Sequence, residues 1–436
     1  MMSSAVRQTW QRARGSLRGT TGAAEGGRLS FSVLLFTQLL STTAFMFVVP
    51  FMPLYVQQLG VENARDAAAW AGVINGASGA TMALVAPLWG RLADRMGRKL
   101  MLLRATLAAA VVVGSMGFVS GPWQLLGLRL LQGTLTGTVP AATSLVASTA
   151  PSEKAGWRLG ALQTVIFVAA GIGPALGGVS ADLAGMRASF FVASALLAIS
   201  GVMILFGVVE RRPERARDHA ESEEDAGAGR SALPYGLLMP GLLTLFAVHV
   251  VITSAAVALP GFVHELSGGG DAVATLSGWI IGTGALVASV GSLMGGRLAG
   301  RFGARPVIAV ALALAGLAAV PQAFVANVPE LWALRLATSL FVGCAIPVAN
   351  LLIREVAPPG RQGAAFGVAS SATSTGFALG PMGGGLLASA LGFWAAYLVP
   401  GAVLLALAAG LGLGWAARPD KKRPALWKAI LAHLIR

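Results

Sequence analysis

The sequence predicts an all-α membrane protein of twelve transmembrane helices, arranged as two pseudo-symmetric six-helix bundles. Three observations predict it. The chain is 55% hydrophobic and only 11% charged, where soluble globular proteins carry about 25% charged residues. It holds twelve apolar runs near the roughly 20 residues that a bilayer-spanning helix needs. Features of the first half also recur in the second at a spacing of 206 or 207 residues: Gly90 and Gly296, Arg129 and Arg335, Gly173–Pro174 and Gly380–Pro381. RLGA at Arg158 matches RQGA at Arg361 in the same order.

The first 28 residues are basic (Arg7, Arg12, Arg14, Arg18, Arg28) and have no apolar core before Leu29. They predict a cytoplasmic tail with no cleavable signal peptide, so the first membrane helix serves as the insertion signal. The first bundle, 29–209, contains runs at 30–56, 70–91, 100–119, 124–148, 158–181 and 188–209. A stretch of mixed charge and low apolar content, 210–234, predicts a cytoplasmic linker. The second bundle, 235–416, contains runs at 236–263, 275–297, 306–326, 330–356, 362–390 and 393–416. In the tail 417–436, Leu426, Trp427, Ile430, Leu431 and Leu434 form an apolar stripe beside Lys421, Lys422, Arg423 and Lys428. That pattern reads either as a helix lying in the membrane interface or as a frayed basic tail.

Charge and cysteine usage exclude several classes. The net charge is +14, which in a soluble protein would suggest nucleic acid, but the basic residues sit in short loops and tails, so no nucleic acid partner is expected. The 57 glycines suit helices packed closely in lipid. Cys344 stands alone and reads as a small packing residue in an apolar helix. No GxxxxGK[ST] loop and no metal-ligand cluster is present, so neither a cofactor nor a metal is expected, and the chain does not read as an enzyme. With a cytoplasmic N-terminus, only Arg65 and Arg187 fall on the opposite face and Arg104, Arg129 and Arg335 within helices. All other Lys and Arg lie on the cytoplasmic face, which places both termini there in an inner or plasma membrane. A duplicated six-helix unit is a common transporter plan, with the substrate site between the repeats near the midplane.

The segment GRLADRMGRK, Gly90–Lys99, is the most specific motif. It predicts a very short loop in which Gly90 and Gly97 permit a tight turn and Arg91, Arg95, Arg98 and Lys99 hold the anionic leaflet. Asp94 gains nothing from the positive-inside bias. It can bond a neighbouring arginine or cap a helix N-terminus. The second copy, GRLAGRFGARP at Gly296–Pro306, has Gly300 in the place of Asp94. Arg129, in LGLRLLQGTLTG, lies inside a membrane helix, where insertion costs about 2.5–3.5 kcal/mol or more. It therefore reads as facing a polar cavity, or as reaching back to the nearby interface. Arg335 is its repeat mate. Pro174 kinks the fifth helix, and Gly173, Gly177 and Gly178 let another helix come close. The second half repeats this at Gly380 and Pro381.

These motifs resemble those of the major facilitator superfamily. GRLADRMGRK is similar to its signature loop between helices 2 and 3. That resemblance implies a conformational latch made by Gly90, Arg91, Asp94, Arg95, Gly97 and Arg98, with Asp94 engaging the start of helix 11 near Arg361. Arg129, Gln132 and Gly133 resemble the helix 4 motif associated with proton coupling. Gly173, Pro174, Gly177 and Gly178 resemble the antiporter motif of helix 5, with Ala169 in place of its first glycine, which implies an exporter. VVPFMPLYVQQLGV (Val48–Val61) and GRKLMLLR (Gly97–Arg104) resemble the drug:proton antiporter family and its MdtG-like multidrug exporters. The major facilitator fold is the one implied.

No Asp or Glu lies near the middle of any predicted helix. The one central titratable group is His249, a residue type whose reference pKa of about 6.5 suits proton exchange, and it reads equally as a packing histidine. Proton coupling is therefore expected at Arg129, Asp94 or His249. The expected substrate cavity is lined by Gln38, Phe45, Asn75, Gln132, Gln163, His249, Arg335 and Asn350. The expected function is proton-coupled efflux of drugs or other small amphipathic compounds by a functional monomer in the lipid bilayer. Export of a native metabolite or of a glyco- or lysolipid is the alternative, and a non-transporting membrane sensor or scaffold is the alternative of another class.

Overall fold

The computed structural model describes residues 30–149, 152–208, 233–269, 272–358 and 361–416. The basic N-terminal tail, nearly all of the charged linker and the amphipathic C-terminal tail lie outside the described residues. Within them the chain is helical and has no strand. Intrahelical hydrogen bonding satisfies the backbone where lipid offers no partner.

Twelve spans follow one another. α1 is Ser30–Phe47, continued after a four-residue turn by Met52–Gln58. Pro50 in that turn and Pro53 at the start of the next piece lack the amide that a continuous helix needs. α2 is Ala64–Met96 and α3 is Arg98–Met116. α4 comes in two pieces, Pro122–Leu135 and Thr138–Thr149. α5 is Ser152–Ala184 and α6 is Met186–Gly207. The second half consists of α7 Tyr235–Leu266, α8 Val273–Phe302, α9 Ala304–Ala319, α10 Val328–Val356, α11 Gln362–Leu391 and α12 Ala395–Ala416.

Ten of these are long and apolar enough to cross a membrane. The other two are α4, which is broken at Thr136 and Gly137, and α11, which is diluted by Gly, Ser and Thr. The sequence expectation of a loop at Gly90–Lys99 needs correction. Gly90–Met96 complete α2, and Gly97 alone, at φ 101°, turns the chain into α3. Gly303, 206 residues on, does the same between α8 and α9 at φ 88°. A side chain is strained in that region of φ, so a one-residue hinge calls for glycine.

The duplication extends into the core. Tyr55 packs on Phe190 with ring centroids 4.8 Å apart. Phe262 packs on Tyr397 at 5.3 Å, each residue 207 positions after its counterpart. The Tyr55 hydroxyl donates to the Met116 carbonyl, and the Tyr397 hydroxyl to that of Ala255.

The core divides unevenly between the two ends. The end bearing Ser30 and Ala416 is called the terminal end, and the opposite one the far end. At the far end one buried cluster draws on both halves, from Phe47, Tyr55 and Phe190 to Leu259, Ile280 and Phe393. At the terminal end there are two separate clusters. One contains only first-half residues such as Leu34, Leu102, Leu145 and Ile204. The other contains only second-half residues such as Leu238, Ile308, Leu352 and Leu404.

Candidate functional site

The halves meet along two helix pairs, α2 with α11 and α5 with α8. Glycines make both contacts. A Cβ on Gly72 would strike the Pro381 carbonyl, and one on Gly278 would strike that of Pro174. Gly76 abuts the Ala378 carbonyl, and Gly282 abuts that of Gly171. Gly72 and Gly278 are 206 apart, as are Gly76 and Gly282, so the two seams are copies. Both lie in the half of the molecule nearer the far end. The predicted motif glycines serve these packings. Gly173 and Gly177 press α5 against Thr43, Met46 and Phe47 of α1, while Gly178 faces Ala274 of α8. Gly380 presses α11 against Val250 and Thr253 of α7. Pro174 and Pro381 lie inside continuous helices.

Three polar contacts clasp the far end, and the sequence reading did not anticipate them. The Ser389 hydroxyl of α11 donates to Asp66 of α2 (2.8 Å). The Thr275 backbone N–H at the start of α8 donates to Asp182 of α5 (2.7 Å), capping that helix from across the seam. Arg65 pairs with Glu265 of α7 at 3.7 Å, both about half exposed. The available signal was an acid at a helix end of each first-half seam helix, but sequence alone does not show that it reaches the other half.

Arg129 and Arg335 are both buried. An Arg129 Nη2 approaches the Met52 sulfur in the second piece of α1 (3.9 Å), and its Nε has no hydrogen-bond partner. Gln132, one turn on, is buried with its Oε1 unpartnered, while Gly133 lets α4 press on Ser78 and Thr81 of α2. Arg335 donates to the Ile252 carbonyl of α7 (3.2 Å). The repeat-related arginines thus reach from α4 to α1 and from α10 to α7.

The other expected cavity residues divide. Gln38 is fully buried, and neither amide atom has a partner; Thr42, one turn on, is also unpartnered. Such groups are costly unless something polar meets them, which makes this turn of α1 a candidate contact for a polar ligand group. His249 is buried, its Nδ1 2.6 Å from the Leu245 carbonyl, with its ring against Phe377 of α11 at 4.7 Å. Asn350 donates back to Ile346 of its own helix (3.2 Å). Phe45 and Asn75 are half-buried and Gln163 is exposed. Among the described residues no hydrogen bond joins any two of the eight predicted cavity residues.

At the signature motif the backbone is helical, but the side chains of Arg91, Asp94 and Arg95 lie outside the described residues, so the partner expected for Asp94 near Arg361 stays a proposal. Lys99 donates to the Leu205 carbonyl of α6 (2.9 Å). Arg361 precedes the first turn of α11. Nearby, the Trp89 indole donates to the Thr134 carbonyl (2.7 Å). It supplies a donor where the break in α4 takes the helical amide away. The Arg104 guanidinium lies 3.3 Å from the centre of the Trp89 ring, an arrangement that favours a cation over the ring face.

The family model of the Major Facilitator Superfamily matches residues 34–276 and 241–436. The chain is 34% identical over 372 residues to "Multidrug resistance protein MdtG" of Proteus mirabilis, covering 85% of this chain and 92% of that protein. It is 31% identical over 356 residues to "Multi-drug resistance efflux pump PmrA homolog" of Lactococcus lactis, covering 81% and 87%. Among solved structures it resembles a bacterial homolog of the human lysosomal transporter Spinster in an inward-facing, occupied conformation (TM-score 0.74, 14% identity, 89% of this chain and 96% of that one). It also resembles the human organic anion transporter MFSD10 (TM-score 0.63, 18% identity, 88% and 99%).

Proposed function

The chain belongs to the major facilitator superfamily, and from that premise we propose that it exports drugs or other small amphipathic compounds by alternating access. It is a multi-pass membrane protein with a small-molecule substrate. One observation carries the proposal: the halves share a core at the far end and keep separate cores at the terminal end. Two bodies joined at one end and parted at the other can rock about a site between them. The efflux names of its relatives support the direction of transport.

In this reading the basic terminal end is cytoplasmic, following the distribution of Lys and Arg, and the membrane is the inner or plasma membrane. The structure then corresponds to an inward-open state, closed outside by the glycine seams and the clasp at Asp66, Asp182 and Glu265. A functional monomer suffices, because both halves lie in one chain. Amphipathic substrate meets Gln38 and Thr42 of α1 and the Arg129–Gln132 face of α4. Proton entry down the membrane potential supplies about 2.3 kcal/mol per charge per 100 mV. Arg129 couples protonation to movement, with Asp94 latching the opposite, inward-closed state against the start of α11, and His249 as the further proton carrier.

The test is efflux into inside-out vesicles. Asp94→Asn and Arg129→Ala should each abolish substrate-driven proton movement at normal expression, and His249→Ala should change its pH profile. Wild-type efflux in both Asp94→Asn and Arg129→Ala would sink the assignment.

A further inference from the structure

The worn motif copy, Gly296–Pro306, keeps Arg297, Arg301 and Arg305 but has no acid. It adjoins an apolar groove of about 250 Å³ between α8, α9 and α10. We propose that this groove and its arginines bind an anionic phospholipid, with one acyl chain in the groove and the phosphate at Arg301 and Arg305.

The groove has no polar lining. α9 packs mainly on α10 and α12 and stands off from α8, while Gly291 and Gly295 seat α8 on the carbonyls of Leu340 and Cys344 of α10. The gap left between α8 and α9 is walled by Met294, Leu298 and Phe302 on one side and by Pro306, Val310 and Leu314 on the other. From Gly291 to Phe302, eleven residues at a rise of about 1.5 Å each span roughly 16 Å. That matches about half of a hydrocarbon core roughly 30 Å thick, the depth that one lipid tail occupies.

Charge continues the same line. Arg301 lies one turn beyond Leu298 on α8, its guanidinium over the Phe302 ring (5.4 Å), and Arg305 precedes Pro306. Arg297, Arg301 and Arg305 make no hydrogen bond or ion pair among the described residues. A tail-deep apolar groove ending in unneutralised arginines fits a headgroup of net negative charge better than a zwitterionic one, whose own ammonium offsets its phosphate.

The first half provides the contrast. Trp89 occupies the position 206 before Gly295, and Arg104 the position 206 before Val310. These two are the stacked pair described above, so in the first half two large side chains meet at the repeat-related positions. The second half has glycine and valine instead and leaves the groove open. At the 206-residue offset Arg297, Arg301 and Arg305 match Arg91, Arg95 and Lys99, while Gly300 stands in the place of Asp94, so this copy is basic without an acid.

The test uses the purified full-length protein in detergent micelles, with phosphatidylglycerol and phosphatidylcholine of identical acyl chains, bound lipid being read by native mass spectrometry. It does not depend on which face is cytoplasmic or on transport. Each arginine beside a lipid of net negative charge contributes about fivefold, so wild type should retain phosphatidylglycerol over phosphatidylcholine by roughly twenty-five-fold. Arg301→Gln/Arg305→Gln should bring the ratio near one, whereas Lys421→Gln/Arg423→Gln, which removes two tail charges, should leave it unchanged. Val310→Trp, which fills the groove, should release both lipids, and Leu314→Trp, one turn deeper, gives a second plug if the first fails to fold. Equal binding of the two lipids by wild type, a preference that survives in Arg301→Gln/Arg305→Gln, or lipid retention by a folded plugged variant would overturn the proposal.

Discussion

Arg129 is a buried guanidinium whose described contact is a thioether sulfur. A buried charge without a counterion destabilises a fold, and replacing it with an apolar residue of similar length is often neutral or stabilising by about 1 kcal/mol or more. Arg129→Met should therefore keep or raise the melting temperature in detergent while abolishing efflux. A loss of stability together with activity would instead mark Arg129 as structural. Arg335 donates to the Ile252 carbonyl, so Arg335→Met should cost about 1.5–3 kcal/mol of stability, measurable in the same thermal assay. These arginines were legible in the sequence because charge inside an apolar run stands out. The roles of Asp66 and Asp182 were not, since an acid at a helix end looks the same whether it caps its own helix or another one.

At the level of elements, a single glycine turns the chain from α2 to α3. Gly97→Ala places a Cβ at φ 101° and ψ 145°, close to a nearly glycine-only region that costs other residues about 1–3 kcal/mol, and a drop of that size is expected in thermal stability. Gly303→Ala should show the same loss at the repeat position. Trp89→Phe keeps the ring under Arg104 but removes the donor to Thr134. It should cost about 1–3 kcal/mol and loosen the break in α4, seen as faster hydrogen exchange in 134–140. The apolar runs overlap every helix, but α2 and α5 begin six residues before their runs and α9 ends seven residues before its run does. They did not reveal the breaks in α1 and α4, because Val48–Phe51 is itself apolar and the pair Thr136–Gly137 is too short to end an apolar run. They also misjudged Gly90–Met96, whose charges read as loop although the helix carries them beyond the apolar run.

For the whole molecule, the asymmetry between a shared far-end core and divided terminal-end cores predicts a two-state motion. Spin labels at Glu62 and Ser267 report the far end, and labels at Met96 and Arg354 the terminal end, on a Cys344→Ser background that removes the lone cysteine. Asp66→Ala/Asp182→Ala removes both hydrogen bonds of the clasp, and should lengthen distances at the far end while shortening them at the terminal end. Gly72→Ala or Gly278→Ala, which drives a methyl into a proline carbonyl across the seam, should move the populations the same way. Overpacking of this kind costs about 1–3 kcal/mol, and here it falls only on the state closed at the far end. Unchanged distances in all three variants would mean that the seam does not control the equilibrium.

By itself the sequence determined the helical membrane class, the duplication, the resemblance to its superfamily and the arginines that stand out in lipid. Each of these is a one-dimensional signal: apolar length, a constant offset, a charge out of place. Tertiary structure alone decided which end is closed, which glycines meet which carbonyls, how three polar contacts join the halves, and where a groove opens in one repeat while Trp89 and Arg104 stack at repeat-related positions of the other. Those outcomes depend on how far two packed helices stand apart. At the seams that distance is set by residues between 93 and 323 positions away, and it has no trace in local pattern.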